Sequence, residues 1–380
     1  MSVNENKKPH VVFLFSDTGG GHRSAAQAII EALEIYYPHQ VTTEMVDFFI
    51  EYAPPPLDLA PATYAQMGQV PELWKFGYKL SNGKRRSEVI QEVLWPYIRK
   101  STEKLVKEHP CDLFVSVHPL VNTPIIRALE EEDIPYITVI TDMVTTHAFW
   151  YNTSATLILA PTPEARERGL EFGIDPDRIK VVGQPIADAF RRPSASKADL
   201  RTQLGWPKDL PVVLMIGGGE GMGPLEETVR AVDQANLDMM MVVVAGRNQT
   251  LKDRLEMADL QTPHEILGFV ENVPDLMSAG DIVITKAGPG TISEAFVAGL
   301  PIILYSRMPG QEDGNIDYVV DKGAGVWAPE PEEVVGILEK WIDRPKLRET
   351  IAGISKSLAQ PDASKNISGE IIKIVNIDQI

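Results

Sequence analysis

The chain has 380 residues, a length that predicts two domains rather than a single hydrophobic core. Hydrophobic residues make up 44% and charged residues 23%, which excludes collagen-like, coiled-coil and globally disordered proteins. The formal net charge of −17 excludes a protein that wraps the nucleic-acid backbone, so no nucleic-acid partner is expected. Cys111 is the only cysteine, which excludes an intramolecular disulfide and a cysteine-built zinc site and is typical of the reducing cytoplasm.

The first ten residues are polar, and only five apolar residues, 11–15, follow them. That run is too short for the apolar core of a signal peptide. No run of 18 apolar residues occurs anywhere in the sequence, so no transmembrane helix is expected. The sequence therefore predicts a cytoplasmic protein whose contact with a membrane is peripheral.

Short apolar runs that end in Gly, Asp or His alternate with helix-period segments, a pattern that predicts the α/β class with parallel, doubly wound sheets. The predicted strands are 11–15, 43–47, 113–117, 136–140, 157–160 and 180–183, then 212–216, 240–245, 265–267, 282–285 and 301–305. A polar segment at 188–197 is the predicted linker. The predicted domains are 1–190 and 197–358, and a helix within 359–380 is a candidate for packing across both.

Both halves open with a strand, a glycine-rich turn and a helix, at 11–29 and 212–232. Sheets of this kind bind ligands at the carboxyl ends of their strands. Two such domains facing each other would place both sets of strand ends around one cleft. The sequence therefore predicts an active site in an interdomain cleft.

The first turn contains Gly19, Gly20 and Gly21, followed by His22 in the first turn of the helix. The spacing does not fit the dinucleotide pattern G-x-G-x-x-G. The positive end of the helix dipole disfavours the imidazolium, which would leave His22 neutral near pH 7. His22 is therefore the candidate general base, and the alternative is a histidine that only caps the helix.

Two further polar residues follow strands of the first half, His118 and Asp142, and are expected to face the same cleft as His22. The alternative is that they cap turns. Asp175 and Asp177 have the form of a metal-binding D-x-D pair, but they stand in a turn between a helix and a strand, so we interpret them as solvated. The sequence predicts a reaction that needs no metal ion and no cofactor.

The residues 288–291 follow a strand and begin a helix, so their backbone N–H groups suit a diphosphate. Glu294 lies one turn inside that helix and could accept hydrogen bonds from both hydroxyls of a ribose. Gln311 and Glu312 follow another strand and offer a donor-acceptor amide and an acceptor, which suits the hydroxyls of a sugar ring. The alternatives are a solvated helix carboxylate and a polar surface loop. No P-loop motif is present.

A family resemblance is carried by the strings SDTGGGHRSAA, SVHPL, TD at 141–142, GGGEGMGP, AGRN, GFV, ITKAGPGTISEA, GLPIIL, PGQEDGN and YVVDKGAG. They resemble plant-type monogalactosyldiacylglycerol synthase, a family of inverting nucleotide-sugar glycosyltransferases. The resemblance covers about residues 11 to 341. It implies the GT-B fold, with two Rossmann-like domains, a UDP-hexose donor and a diacylglycerol acceptor. It favours galactose as the sugar, although the sequence leaves glucose open.

With this resemblance, the expected donor-binding residues are Gly219, Glu220, Arg247, Phe269, Val270, Lys286, Gly288, Pro289, Gly290, Thr291, Glu294, Gly310, Gln311 and Glu312. The expected acceptor loop is Gly19 to Gly21, and the expected catalytic set is His22, His118 and Asp142. One alternative is a processive enzyme that transfers more than one glucose. Another, of a different class, is a non-catalytic protein that senses UDP-sugar and binds membranes.

The segment 75–107 carries nine basic and three acidic residues, the reverse of the balance in the rest of the chain. Aromatic residues of the kind found at a headgroup interface are interleaved with these charges. The sequence therefore predicts peripheral association with the anionic inner face of the cell membrane. The residues expected at the membrane are Trp74, Lys84, Arg85, Arg86 and Trp95. The alternative is a solvated pair of basic helices with aromatic residues in the core.

Overall fold

The computed structural model describes residues 8–17, 20–60, 71–219, 221 and 223–376. The chain divides into two compact units. The first contains the residues up to Asp188 together with those from Asp362 onward, and the second is Ala189–Pro361. The division falls at the beginning of the polar segment 188–197.

In the first unit the described strands form one parallel sheet in the order β2-β1-β3-β4-β5-β6. The strands are β1 His10–Phe15, β2 Thr42–Asp47, β3 Leu113–Ser116, β4 Tyr136–Val139, β5 Leu157–Ala160 and β6 Ile179–Val181. The helices are α1 Gly21–Tyr36, α2 Phe48–Glu51, α3 Pro71–Ser81, α4 Lys84–Glu108, α5 Asn122–Ala128 and α6 Pro163–Glu171. Alternate residues of β1 belong to different buried clusters, because this sheet is covered on both faces.

In the second unit the sheet is again parallel over the described residues, in the order β12-β11-β10-β7-β8-β9. Its strands are β7 Val212–Ile216, β8 Met240–Val244, β9 His264–Leu267, β10 Ile282–Lys286, β11 Ile302–Ser306 and β12 Gly325–Trp327. Its helices are α7 Lys197–Leu204, α8 Leu225–Gln234, α9 Gln249–Glu256, α10 Val273–Ala279, α11 Pro289–Ala298, α12 Asp313–Asp321, α13 Pro331–Asp343 and α14 Pro345–Ser357.

The predicted α/β class with doubly wound sheets is confirmed, and each of the eleven predicted strands is present with its ends shifted by two residues at most. The sequence missed β12, Gly325–Trp327. Three residues that begin with glycine are too short a run for a period of two to be recognised.

Each sheet reverses its strand order at one place. In the first unit this switch point lies between β1 and β3, and in the second it lies between β7 and β10. Parallel sheets bind ligands outside the carboxyl ends of the strands at such a point. The glycine-rich turns after β1 and β7 are therefore where the topology leaves room for ligands.

The last described helix, α15 Ala363–Val375, packs against α1 of the first unit. Its Ile367 and Ile371 are fully buried in the same cluster as Ile29 of α1, and Ser368 donates a hydrogen bond to the Ile29 carbonyl over 3.2 Å. This helix thus completes the core of the first unit. Within the described part of the chain, no helix is long and apolar enough to cross a bilayer.

Candidate active site

The turn after β1 brings His22 to the first switch point. Gly20 precedes α1 with a φ of 77°, in the left-handed region that favours glycine, and α1 begins at Gly21. A Cβ on Gly21 would meet no atom of the described residues within 4 Å. Gly19, the first residue of the expected acceptor loop, lies outside the described residues.

Backbone and side-chain contacts determine which nitrogen of His22 carries the proton. Its Nδ1 lies 2.7 Å from the carbonyl oxygen of Val117 and 3.0 Å from Oγ1 of Thr141. Because a carbonyl oxygen can only accept, Nδ1 carries the hydrogen and donates it. The lone pair of the neutral ring is therefore on Nε2. Burial lowers the pKa of His22 to about 4, although the hydrogen bond to Val117 opposes the shift, so the ring is neutral at pH 7.

His118 and Asp142 lie in the same neighbourhood as His22. The rings of His118 and His22 are edge to face with centroids 4.5 Å apart, and burial holds the pKa of His118 well below its usual range. Asp142 is buried, and its Oδ2 accepts a hydrogen bond from Nε1 of Trp150 over 2.7 Å. The Trp150 ring is in turn 6.3 Å from the His22 ring. The structure thus brings the three expected catalytic residues of the first unit together.

Sequence reasoning missed two supports of this cluster. Thr141 holds the imidazole of His22, and its only signal in the sequence is its place immediately before Asp142. Arg23 donates two hydrogen bonds to the Asp17 carboxylate, over 2.7 and 2.6 Å, and the Asp17 backbone N–H donates to Asp47 over 3.0 Å. These contacts tie the start of α1 to the ends of β1 and β2.

In the second unit, glycines allow the turns after β7 and β8 to approach each other closely. A Cβ on Gly221 would lie 2.3 Å from the Ala245 carbonyl oxygen, and one on Gly246 would lie 2.5 Å from that of Gly219. Both glycines have φ near +60°. The Arg247 N–H donates to the Gly219 carbonyl over 2.8 Å, which joins the two turns. Glu220 lies outside the described residues.

A lysine lies between the turn after β7 and the first turn of α11. A Cβ on Gly218 would be 3.1 Å from Lys286 Cε, and one on Gly288 would be 2.9 Å from Lys286 Nζ, so the lysine side chain lies against both turns. Pro289, Gly290 and Thr291 form the first turn of α11. An ammonium group beside a helix N-terminus is suited to bind phosphate.

Glu312 holds that lysine. Its Oε1 accepts a hydrogen bond from Lys286 Nζ over 2.6 Å, and its Oε2 accepts one from the Met308 N–H over 2.7 Å. The side chain is buried. The structure therefore places Glu312 against protein groups, whereas its neighbour Gln311 is partly buried after Gly310, which has a φ of 88°.

The remaining expected donor residues differ in their surroundings. Glu294 is partly buried in α11, and burial raises the pKa of its carboxyl to about 7. Phe269 follows β9 and is 58% exposed, and the guanidinium of Arg247 lies over its ring at 4.7 Å. Val270 beside it is partly buried. A buried residue that sequence reasoning missed, Asn315, donates to the Ala287 carbonyl over 2.8 Å and so fixes the turn before α11.

Two parallel, doubly wound six-stranded sheets, one in each unit, are the architecture of the GT-B fold. The fold is similar to that of MurG from Acinetobacter baumannii, with a TM-score of 0.61, 17% identity, and coverage of 96% of this chain and 99% of that one. It is also similar to the calicheamicin glycosyltransferase CalG4, with a TM-score of 0.60, 14% identity, and coverage of 98% and 99%.

The chain belongs to the monogalactosyldiacylglycerol synthase family. The model of monogalactosyldiacylglycerol (MGDG) synthase matches residues 22–186, and that of the glycosyltransferase family 28 C-terminal domain matches residues 212–365. Monogalactosyldiacylglycerol synthase 2 of Arabidopsis thaliana is 34% identical over 98% of this chain and 82% of its own length. A probable synthase 2 of Oryza sativa subsp. japonica is 36% identical over 96% and 80%. The expected family is therefore confirmed.

Proposed function

We propose that the protein is an inverting glycosyltransferase that moves a hexose, with galactose favoured, from a UDP-sugar to the free hydroxyl of 1,2-diacylglycerol. The product would be a β-monoglycosyldiacylglycerol. The proposal rests on membership of the family together with one observation, the neutral His22 whose Nε2 lone pair lies at the first switch point. A neutral imidazole in this tautomer can accept a proton from a hydroxyl.

In the proposed reaction the lipid hydroxyl oxygen attacks the anomeric carbon of the sugar. The bond between that carbon and the phosphate oxygen breaks, UDP leaves with the bonding electrons, and the hydroxyl proton passes to Nε2 of His22. A single displacement inverts the anomeric carbon. Negative charge that develops on UDP would be stabilised by Lys286 and by the N–H groups at the start of α11.

The hydrogen bonds of Glu312 lead us to propose different roles for Glu312 and its neighbour Gln311. Both carboxylate oxygens of Glu312 already accept hydrogen bonds, one of them from Lys286. We assign Glu312 to holding the lysine that meets the phosphates. Gln311 then remains as the residue that contacts the hexose, and Glu294 as the residue that contacts the ribose.

The decisive test of the proposed function is an assay of purified protein with diacylglycerol and either UDP-galactose or UDP-glucose. We expect UDP-galactose to give a lipid with one sugar. A ladder of longer products from UDP-glucose would instead identify a processive glucosyltransferase. UDP binding without any turnover would identify a sensor.

Separate substitutions should distinguish the ribose and hexose contacts. Glu294→Ala should weaken binding of UDP itself by about 10- to 150-fold, because a hydrogen bond to a charged group contributes about 1.5 to 3 kcal/mol. Gln311→Ala should weaken UDP-sugar and leave UDP almost unchanged. Calorimetry with each ligand measures both effects. Equal loss of UDP affinity in the two variants would contradict the assignment.

The raised pKa of Glu294 predicts that donor binding depends on pH. The neutral carboxyl must ionise before it can accept hydrogen bonds from both ribose hydroxyls, so affinity for UDP-sugar should rise between pH 6 and pH 8, through the pKa of about 7. Both phosphates of a UDP-sugar are diesters and do not titrate in this range. Glu294→Gln cannot ionise, so its affinity should be flat over the same range. A slope that persists in this variant would assign the effect to another group.

We also propose that α3 and α4 form the surface by which the protein associates with the inner face of the membrane. Trp74 and Trp95, which the sequence selects for this role, are partly buried. The large apolar side chains that are exposed on these two helices are Phe76, Leu80, Val89, Val93, Leu94 and Tyr97. Exposed basic residues accompany them at Lys84, Arg85, Arg86, Arg99 and Lys100. Apolar side chains inserted among cations suit an anionic lipid surface.

A further inference from the structure

An apolar groove in the first unit has no role in the mechanism above. It lies between α4 and α5 and contains about 360 Å³ of space, part of it open to solvent. Its apolar lining includes Ile90, Leu94, Ile98, Leu120, Pro124 and Phe149. Such walls favour an apolar occupant over a nucleotide or a sugar, because hydroxyl and phosphate groups would lose hydrogen bonds to water there.

One polar residue of the lining, Arg127, interacts with other side chains of the protein. Arg127 is paired with Glu92, and its guanidinium lies over the ring of Trp95 at 5.6 Å. Trp95 itself lines the groove, which accounts for its partial burial. The groove therefore offers hydrocarbon contact along its length.

Two residues that line the groove, Leu120 and Phe149, are close in the chain to residues of the His22 cluster. The backbone N–H of Leu120 donates to Nδ1 of His118 over 3.4 Å. Phe149 packs its ring 4.4 Å from that of His147, and it directly precedes Trp150, whose ring is 6.3 Å from that of His22. Leu120 thus lies two residues after His118, and Phe149 directly precedes Trp150, which donates a hydrogen bond to Asp142.

The wall of the groove formed by α4 is next to the surface that we propose binds the membrane. Ile90 and Leu94 line the groove, while Val89 and Val93, their neighbours on α4, are 61% and 73% exposed. The basic residues at the start of α4 complement the charge of an anionic bilayer. The groove therefore has one wall on the helix that we assign to the membrane surface and another on segments that neighbour the His22 cluster in the chain.

We propose that this groove binds one acyl chain of the acceptor diacylglycerol. The inference rests on the proposed function, since it assigns the part of the acceptor that does not react. Diacylglycerol carries no charge that a binding site could use, so apolar contact is its main source of affinity. A chain held in the groove would keep the lipid from returning to the bilayer while its hydroxyl reaches His22.

The test compares acceptors of different chain length in neutral detergent micelles, where binding to anionic lipid makes no contribution. For the wild type, kcat/KM should rise from dioctanoylglycerol to dimyristoylglycerol, by at most about fourfold per methylene that the groove covers. Leu94→Trp, which fills the groove from a partly exposed position, should lower the ratio of these two values at least tenfold. Its kcat/KM for dioctanoylglycerol should fall less than that for dimyristoylglycerol, because the shorter chain makes fewer contacts that the added ring can remove.

Glu88→Trp is the matched control, because it adds the same ring to an exposed position of the same helix outside the groove lining. It should keep the wild-type ratio, and thermal unfolding by circular dichroism should show both variants folded. Equal ratios in the wild type and Leu94→Trp would overturn the inference while leaving the transferase intact. Absence of turnover with every acceptor would instead overturn the proposed function.

A second measurement does not depend on turnover. Diacylglycerol brominated on its chains should quench more tryptophan fluorescence in the wild type than in Trp95→Phe, because Trp95 lines the groove. Brominated phosphatidylcholine should quench both proteins equally. Quenching of Trp95 by phosphatidylcholine as strong as that by diacylglycerol would show that the groove takes membrane lipid in general, which contradicts an acceptor site.

Discussion

Replacing His22 by alanine should lower kcat by about 10² to 10⁴, the usual contribution of a positioned general base. The variant loses the imidazole whose unprotonated Nε2 lies at the start of α1. Binding of UDP should remain nearly intact, because the proposed donor residues all belong to the second unit. Steady-state turnover and calorimetry with UDP measure the two effects separately.

Imidazole added to the His22→Ala variant should restore part of the lost turnover, since the missing chemistry would be supplied from solution. A variant that was merely misfolded would not recover. His264→Ala, which removes an exposed histidine at the start of β9, is the matched control and should keep wild-type turnover. Near wild-type turnover in His22→Ala would move the base to Asp142 or His118.

The pH profile gives an independent test of the same residue. Because the pKa of His22 is lowered to about 4, the ring stays unprotonated from pH 8 down to pH 6. The kcat of the wild type should therefore not fall over this range on account of His22, whereas an ordinary histidine with a pKa of 6.5 would already lose most of its basic form at pH 6. A low pKa also means that Nε2 holds the transferred proton weakly and releases it to water between turnovers.

Changing Lys84, Arg85 and Arg86 together to Glu should abolish binding to vesicles that contain phosphatidylglycerol. Each cation near an anionic surface contributes about 1 kcal/mol, so loss of three attractions alone lowers affinity about 10²-fold, and the new carboxylates add repulsion. The effect is local, because charges beyond about 8 Å are largely screened at physiological salt. Wild-type binding should fall as salt is added and should be weaker on phosphatidylcholine.

A control variant changes three exposed lysines of the second unit to Glu and has the same change in net charge. These lysines are Lys322, Lys340 and Lys346. This control should bind vesicles as the wild type does. Lys84 also donates to the Phe172 carbonyl over 2.8 Å, so thermal unfolding of the triple variant must be measured alongside sedimentation. Full binding by the triple variant at α4, or equal loss in the control, would place the membrane surface elsewhere.

Much of the fold could be predicted from sequence because its signals are local. Runs such as Val212–Ile216 are apolar at every position, which is typical of a strand buried on both faces of a parallel sheet. Glycines after β1 and β7 indicate strand-to-helix turns, and the family motifs lie in those turns. These signals need only neighbouring residues, so the class, the strands and the candidate residues His22, Lys286 and Glu294 follow without coordinates.

Contacts between distant residues required the tertiary structure. Val117 and Thr141, about a hundred residues from His22, select its tautomer, and no local pattern encodes that choice. Glu312 and Lys286 are 26 positions apart, and their hydrogen bond is the reason that we propose Gln311, and not Glu312, as the residue that contacts the sugar.

The burial of the amphipathic helices also could not be predicted from the sequence. Helical periodicity identifies the apolar residues of α4, but it does not say which of them another element will cover. Packing of α5 and of Phe149 makes the Trp95 side of the helix a groove, and Val89 and Val93 stay exposed. Local sequence therefore determined the elements and the chemistry they carry. The tertiary structure alone decided burial, tautomer and pairing, because each depends on which distant side chains fold against the residue.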